Sequence, residues 1–230
     1  MHKMVVANYK MNGDRKFYSR VLKVVNKYNK KDTKIILCPP FVYIPFMKLK
    51  SANLGAQDIS STVNNKSTGQ IGPSMLKEFG VKYTLVGHSE RRAEGETDET
   101  VAMKVKTAVS HDLVPIICVG EEKKGDKIDI VSTQVEKALS LVDKGEIIFA
   151  YEPVWAIGSG IQPTTKQINK AISTIKKVAS KSGHEVKVLY GGSVNGNNFS
   201  EIVKTDADGY LLGGVSNRLD EFASILKEMQ

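Results

Sequence analysis

The chain has 230 residues, 41% hydrophobic and 25% charged, enough apolar material for a sizeable core and a composition that excludes a disordered polymer. The formal net charge is +8, but the excess is mostly lysine on the polar sides of periodic segments (Lys23, Lys27, Lys123, Lys124, Lys176, Lys177), with no interleaved aromatics to stack bases; a solvated surface fits better than a nucleic-acid patch. Only two cysteines occur, Cys38 and Cys118, each ending an apolar run, so a reducing, cytoplasmic compartment is expected rather than a disulfide framework, and no run approaches the roughly 20 apolar residues that span a bilayer.

Short apolar runs alternate with amphipathic stretches from one end to the other, the pattern of parallel strands joined by crossover helices. Strands are expected to begin near Met4, Lys34, Asn53, Tyr83, Val114, Glu146, Glu185 and Gly209. Several are apolar throughout, such as Ile35-Ile36-Leu37 and Ile116-Ile117-Cys118, as strands covered on both faces must be. Between them run helical stripes: Phe17, Val21 and Val24; Val101, Val105 and Ala108; Val131, Val135 and Ala138; Ile168, Ile172, Ile175 and Ala179; Leu219, Phe222, Ala223 and Leu226. Thr164 with Gln167 spells a capping box, and Thr97-Asp98-Glu99 a second helix start. Eight such cycles in this length give about 29 residues per strand and helix, compact for a (β/α)8 TIM barrel of roughly 200 residues or more, here one α/β domain over residues 1–230. A doubly wound open sheet is the structural rival, but it would place a glycine-rich turn after the first strand, where this chain has Asn8-Tyr9-Lys10-Met11-Asn12.

Barrels of this kind build their sites from loops at the C-terminal ends of strands, which directs attention to four places. Asn8 and Lys10 follow strand one, two apart and so on one face of an extended chain, although an exposed lysine is the commoner reason for such a residue. Gly87-His88-Ser89-Glu90-Arg91-Arg92 follows strand four. It reads either as an ordinary helix start or as an imidazole facing the barrel axis, held neutral by a helix N-terminus and ready to donate to a carbonyl oxygen.

After strand six, Glu152 precedes Pro153, Val154, Trp155, Ala156, Ile157, Gly158, Ser159 and Gly160, with stiff and flexible points that suit a base beside a mobile lid better than a surface turn. Glycine turns after strands seven and eight, Gly191-Gly192-Ser193 and Leu212-Gly213-Gly214, expose backbone amides where barrels often hold phosphate. The four histidines, His2, His88, His111 and His184, lie on separate elements without ligand spacing, so no metal or other cofactor is expected.

The segments ANYKMN, GAQD, TGQIGP, LVGHSERR, CVGE, AYEPVWAIGSG, YGGSV and LLGGVS, in this order and nearly end to end, resemble the triosephosphate isomerase family. The resemblance implies an aldose–ketose isomerase of glycolysis and gluconeogenesis, interconverting dihydroxyacetone phosphate and D-glyceraldehyde 3-phosphate through a cis-enediolate. It implies Glu152 as the base, His88 as the electrophile, Lys10 with Asn8 as the cation and hydrogen-bonding partner at the substrate, and Glu90 as the residue that organises Lys10 and His88. The amides of Gly158, Ser193, Gly213 and Gly214, with Leu212 beside them, would grip phosphate; the segment from Pro153 would close as a lid, with Ile157 and Leu211 clamped over Glu152. It further implies a homodimer, with a tetramer as the alternative, in which the loop from about Asp58 to Gly72 enters the neighbour and Thr68 reaches toward its Asn8. Tyr9 stands where the family often has tryptophan, and the segments Ala93–Glu96 and Glu122–Asp129 are shorter than usual. Rival readings are another phosphosugar barrel enzyme and a non-catalytic barrel that binds a phosphorylated metabolite.

Overall fold

The computed structural model describes residues 3–28, 33–50, 52–64, 66–125, 128–159 and 161–229; His2 and Gly160 lie outside them. Eight parallel strands close into a barrel in sequence order: β1 (Lys3–Asn8), β2 (Thr33–Cys38), β3 (Asn53–Ala56), β4 (Val81–Val86), β5 (Val114–Val119), β6 (Ile148–Tyr151), β7 (Lys187–Tyr190) and β8 (Gly209–Leu212). The ring is completed by β1 against β8, with Val5 opposite Tyr210 and Ala7 opposite Leu212. The open-sheet rival is thereby excluded. Strands six and seven start two residues later than the apolar runs suggest.

Alternation along each strand divides the core in two. Met4, Val6, Ile36, Cys38, Leu85, Ile116, Cys118, Ile148, Ala150, Leu189 and Leu211 form one cluster of strand residues that fills the barrel. Their neighbours, such as Val5, Ala7, Ile117 and Phe149, face outward and join the larger core under the helices.

The helices are α1 (Arg15–Tyr28), α2 (Pro73–Glu78), α3 (Ser89–Ala93), α4 (Asp98–Val109), α5 (Asp129–Leu139), α6 (Thr165–Lys181), α7 (Phe199–Ile202) and α8 (Leu219–Glu228). The Thr164–Gln167 capping box forms, and Thr97 accepts from the Thr100 amide at 3.3 Å. In α1 the buried residues are Tyr18, Val21 and Val25, one step round from the expected stripe. Tyr18 can be buried because its hydroxyl donates to the Asn12 carbonyl at 2.7 Å. In α8, Ile225 is buried beside Phe222 and Leu226, whereas Leu219 and Ala223 remain half-buried. Between β2 and β3 the chain makes a 3-10 helix, Phe41–Phe46, containing Pro45, whose missing N–H disfavours an α-helix there. Among the described residues no helix is long and apolar enough to cross a membrane.

Candidate active site

The strand alternation that fills the barrel also aims the residues at its mouth. Met4 and Val6 point inward, so Asn8 does as well; Ile148 and Ala150 point inward, and Glu152 follows. On β7 and β8 the corresponding positions are Gly191 and Gly213. A Cβ on Gly191 would lie 3.0 Å from Glu152 Cγ, and one on Gly213 would lie 3.4 Å from Lys10 Cε. Glycine at those two places leaves room for the functional side chains of other strands. The result is a cavity of about 360 Å³ lined by Asn8, Lys10, His88, Glu152, Ile157, Leu211 and the β7 and β8 loops.

His88 reaches this cavity by a break in the pattern. On β4, Tyr83 and Leu85 face inward, which would turn residue 88 outward; Gly87, with φ +68°, reverses the chain and brings the imidazole back. His88 caps α3, and its Nδ1 accepts from the Glu90 amide at 3.2 Å. A ring nitrogen that accepts carries no proton, so in the neutral ring the hydrogen is on Nε2. Nε2 lies 3.2 Å from Glu152 Oε1. The other carboxylate oxygen accepts from the Ser89 amide at 3.1 Å. Both side chains are buried, Glu152 at 3% exposure.

Lys10 differs from its extended-chain expectation. β1 ends at Asn8, and Lys10 has φ +51°, a left-handed conformation that costs a non-glycine residue about 1–3 kcal/mol. Two side chains hold it: Asn8 Oδ1 accepts from the Lys10 amide at 3.0 Å, and Gln57 Nε2 donates to the Lys10 carbonyl at 2.8 Å. The turn, rather than strand alternation, is what sends the ammonium to the same cavity as Asn8. There Nζ meets Glu90 Oε1 at 2.5 Å, while Glu90 Oε2 is 3.8 Å from His88 Nδ1. Glu90 thus touches both.

Pro153 leads into a 3-10 turn, Val154–Ala156. The Val154 amide donates to the Glu121 carbonyl at 3.0 Å, and the Glu121 carboxylate accepts from Tyr151 Oη at 2.8 Å, so the entry to this segment is tied to the end of β5. Trp155 is half-buried, with Lys124 Nζ 5.9 Å from its ring centroid. Ser193 Oγ donates to the Ala156 carbonyl at 3.1 Å and accepts from the Gly158 amide at 3.4 Å. Ser193 therefore joins the β6 and β7 loops; Gly158 and Ser159 are exposed. Inside the barrel below Glu152, the Cys118 thiol is pushed well up, by burial first and then by the Glu152 charge.

Thr68 is exposed on the long loop after β3 and is not among the residues lining this cavity. Arg218, Asn195 and Val215 also line the cavity and were not among the residues singled out from sequence. Arg218 offered one usable signal: it is a basic residue on the loop after the last strand, four positions past Gly214.

A sequence model of the triosephosphate isomerase family matches residues 3–229. The triosephosphate isomerase of Buchnera aphidicola subsp. Cinara cedri is 37% identical, spanning 97% of each chain. That of Thermoanaerobacter pseudethanolicus is 43% identical, spanning 85% of this chain and 87% of its own. That of Vesicomyosocius okutanii subsp. Calyptogena okutanii is 35% identical over 99% of both. A closed eight-stranded parallel barrel, a carboxylate against an imidazole at its mouth, and a family match from the first described strand to the last helix converge on one assignment: the chain belongs to the triosephosphate isomerase family.

Proposed function

We propose that this cavity interconverts dihydroxyacetone phosphate and D-glyceraldehyde 3-phosphate, with Glu152 as the base and His88 as the hydrogen-bond donor to the carbonyl oxygen. The 3.2 Å approach of His88 Nε2 to Glu152 Oε1 carries this reading, because one ligand can then meet both groups at adjacent atoms. Substrate exchanges that direct contact for two of its own. The carboxylate removes a proton from the carbon next to the carbonyl, and the Nε2 hydrogen meets the oxygen where negative charge develops. The pair of electrons moves into the enediolate; His88 Nε2 gives its proton to the former carbonyl oxygen and takes the one on the neighbouring hydroxyl, and the same carboxylic acid returns the carbon-bound proton to the neighbouring carbon, so the carbonyl moves by one position. The Lys10 ammonium and Asn8 stabilise the anionic oxygens, and Glu90 positions Lys10 and His88.

The amides of Gly158, Ser193, Gly213 and Gly214, next to Leu212, hold the phosphate in this reading. Pro153, Val154, Trp155, Ala156, Ile157, Gly158, Ser159 and Gly160 form the lid. Ile157 and Leu211, both on the cavity wall, exclude water from Glu152 on closure. The assigned residues sit at the ends of strands and on the segments that follow them around one closed barrel, which supports one domain across residues 1–230. A coupled assay run in D2O tests the proposal: turnover is expected with deuterium entering the carbon that receives the proton. Interconversion with complete retention of substrate hydrogen would instead indicate direct hydride transfer, and no interconversion would leave only phosphate binding.

The assembly proposed is a homodimer. A second recess of about 320 Å³ adjoins Asn8, Lys10 and Glu90 and is walled by Gln57, Gln70 and Arg91. Met11, 95% exposed, and Val42 are exposed apolar residues next in sequence to its lining residues Lys10 and Phe41. The exposed loop bearing Thr68 suits that recess on a second copy. Light scattering on the purified chain distinguishes dimer from tetramer. Two free, buried cysteines support a cytoplasmic location.

A further inference from the structure

The cavity contains a second cation besides Lys10. Arg218 follows the turn Gly214–Asn217 and lines the same wall as Gly213 and Gly214. The two cations flank that glycine pair. A Cβ on Gly213 would lie 4.0 Å from Lys10 Nζ, and one on Gly214 would lie 3.9 Å from Arg218 Nη1. Turn hydrogen bonds use the carbonyls of these glycines: Gly213 O accepts from the Ser216 amide at 2.9 Å, and Gly214 O accepts from Arg218 Nη1 at 3.4 Å.

The guanidinium is also oriented. Its Nε donates to Glu221 Oε2, while Glu221 Oε1 accepts from the Gly196 amide at 3.1 Å on the β7 loop. Those two hydrogen bonds, Arg218 first, hold the Glu221 carboxyl below its ordinary value, so the anchor stays charged at neutral pH. One edge of the guanidinium is thereby fixed by a link between the two glycine loops, while Nη1 reaches back to the Gly214 carbonyl on the cavity wall. Each cation is paired with a carboxylate, Lys10 with Glu90 and Arg218 with Glu221.

We propose that Arg218 is a specificity-determining residue of this site, a second cation that selects and captures the phosphate dianion across Gly214 from Lys10. This rests on the reading of Gly213 and Gly214 as phosphate ligands. A partly exposed charge at such a distance acts through a screened field, so its expected contribution is to capture rather than to the proton transfer itself.

The test compares the full chain with Arg218→Gln and Arg218→Lys. In Arg218→Gln the KM for the triose phosphate and the dissociation constant of inorganic phosphate are both expected to rise about fivefold to tenfold, with kcat changed less than about twofold. The slope of log kcat/KM against ionic strength should become shallower, and Arg218→Lys, which keeps the charge without the fork, should recover most of both losses. Equal losses in the Gln and Lys variants would overturn the proposal by assigning Arg218 a purely structural link to Glu221, and unchanged constants in Arg218→Gln would overturn it outright. Calorimetric titration with phosphate reads Arg218 even if the parent chain fails to turn over, so failure of the isomerase reading and failure of this one remain distinct.

Discussion

Glu152 is a carboxylate with almost no water, and every contact that holds it is short and directional. Ser89 donates a backbone amide, His88 presents Nε2, and Gly191 supplies the missing Cβ that gives Cγ its space. On the β5 side the fit is tighter still, since a Cβ on Gly120 would fall 1.7 Å from the Glu152 carbonyl oxygen. The backbone is thus pinned, and side-chain length alone sets where the carboxylate ends. Glu152→Asp withdraws it by about 1 Å, and such a displacement of a catalytic group lowers rate by about 10²-fold. Steady-state kinetics are expected to show that fall in kcat, with KM moved less than about threefold. Turnover within a few fold of the parent would remove Glu152 as the base.

Most of these residues were legible because their positions at strand ends could be counted from apolar runs. Lys10 was legible by motif but not by geometry, since a left-handed φ on lysine has no signal in residue type.

In α4 the expected stripe of Val101, Val105 and Ala108 is buried, and beside it lies a lysine that patterning does not single out. Lys104 has a 6% exposed side chain and bridges two acidic residues, Asp58 at 2.6 Å and Glu96, whose side chain is 3% exposed. Periodicity places Lys104 next to Val105 and Val101 but carries no information about what covers it; Asp58 and Glu96 come from the β3 loop and the segment after α3. The short Ala93–Glu96 stretch therefore has a defined task, turning through Gly95 at φ +101° to send Glu96 inward. Arg91 adds a longer contact to Asp58 at 3.5 Å.

Removing the ammonium leaves Glu96 buried without its counter-charge and Asp58 partly so. Lys104→Met is expected to lower the unfolding free energy by about 3 kcal/mol, the lower end for breaking a buried pair because Asp58 retains some solvent. For a chain of this size that corresponds to a fall in Tm of about 6–12 °C. Urea titration of parent and variant measures it, and coincident midpoints would show that the cluster contributes nothing net.

At the scale of the molecule, closure was legible and thickness was not. Eight cycles predict a ring, and Met4, Val6, Ile148 and Ala150 inside with Val5, Ala7 and Phe149 outside follow from alternation once the ring is closed. What alternation does not announce is how many polar aromatics and thiols the two cores take in. Cys38, Cys118, Tyr9, Tyr18, Tyr151, Tyr190 and Tyr210 are all raised in pKa with burial as the leading cause, Tyr210 to about 12. A group raised on folding keeps its proton longer in the native chain than in the unfolded one. Its contribution is complete below the unfolded value and is lost as pH climbs from there toward the folded value.

The interval opens at the ordinary values of 9.0 for the thiols and 10.0 for the phenols. Stability is therefore expected to be level from about pH 7 to 8.5 and then to fall, each group contributing about 1.4 kcal/mol per pH unit once it titrates in the unfolded chain alone. Urea midpoints taken across that range should trace the fall. Phenolate absorbance of the buried tyrosines should appear together with the loss of far-ultraviolet circular dichroism. If those phenolates instead titrate near pH 10 while the fold persists, the two-layer core is more open to water than its burial implies, and the alkaline limit of the protein must lie elsewhere.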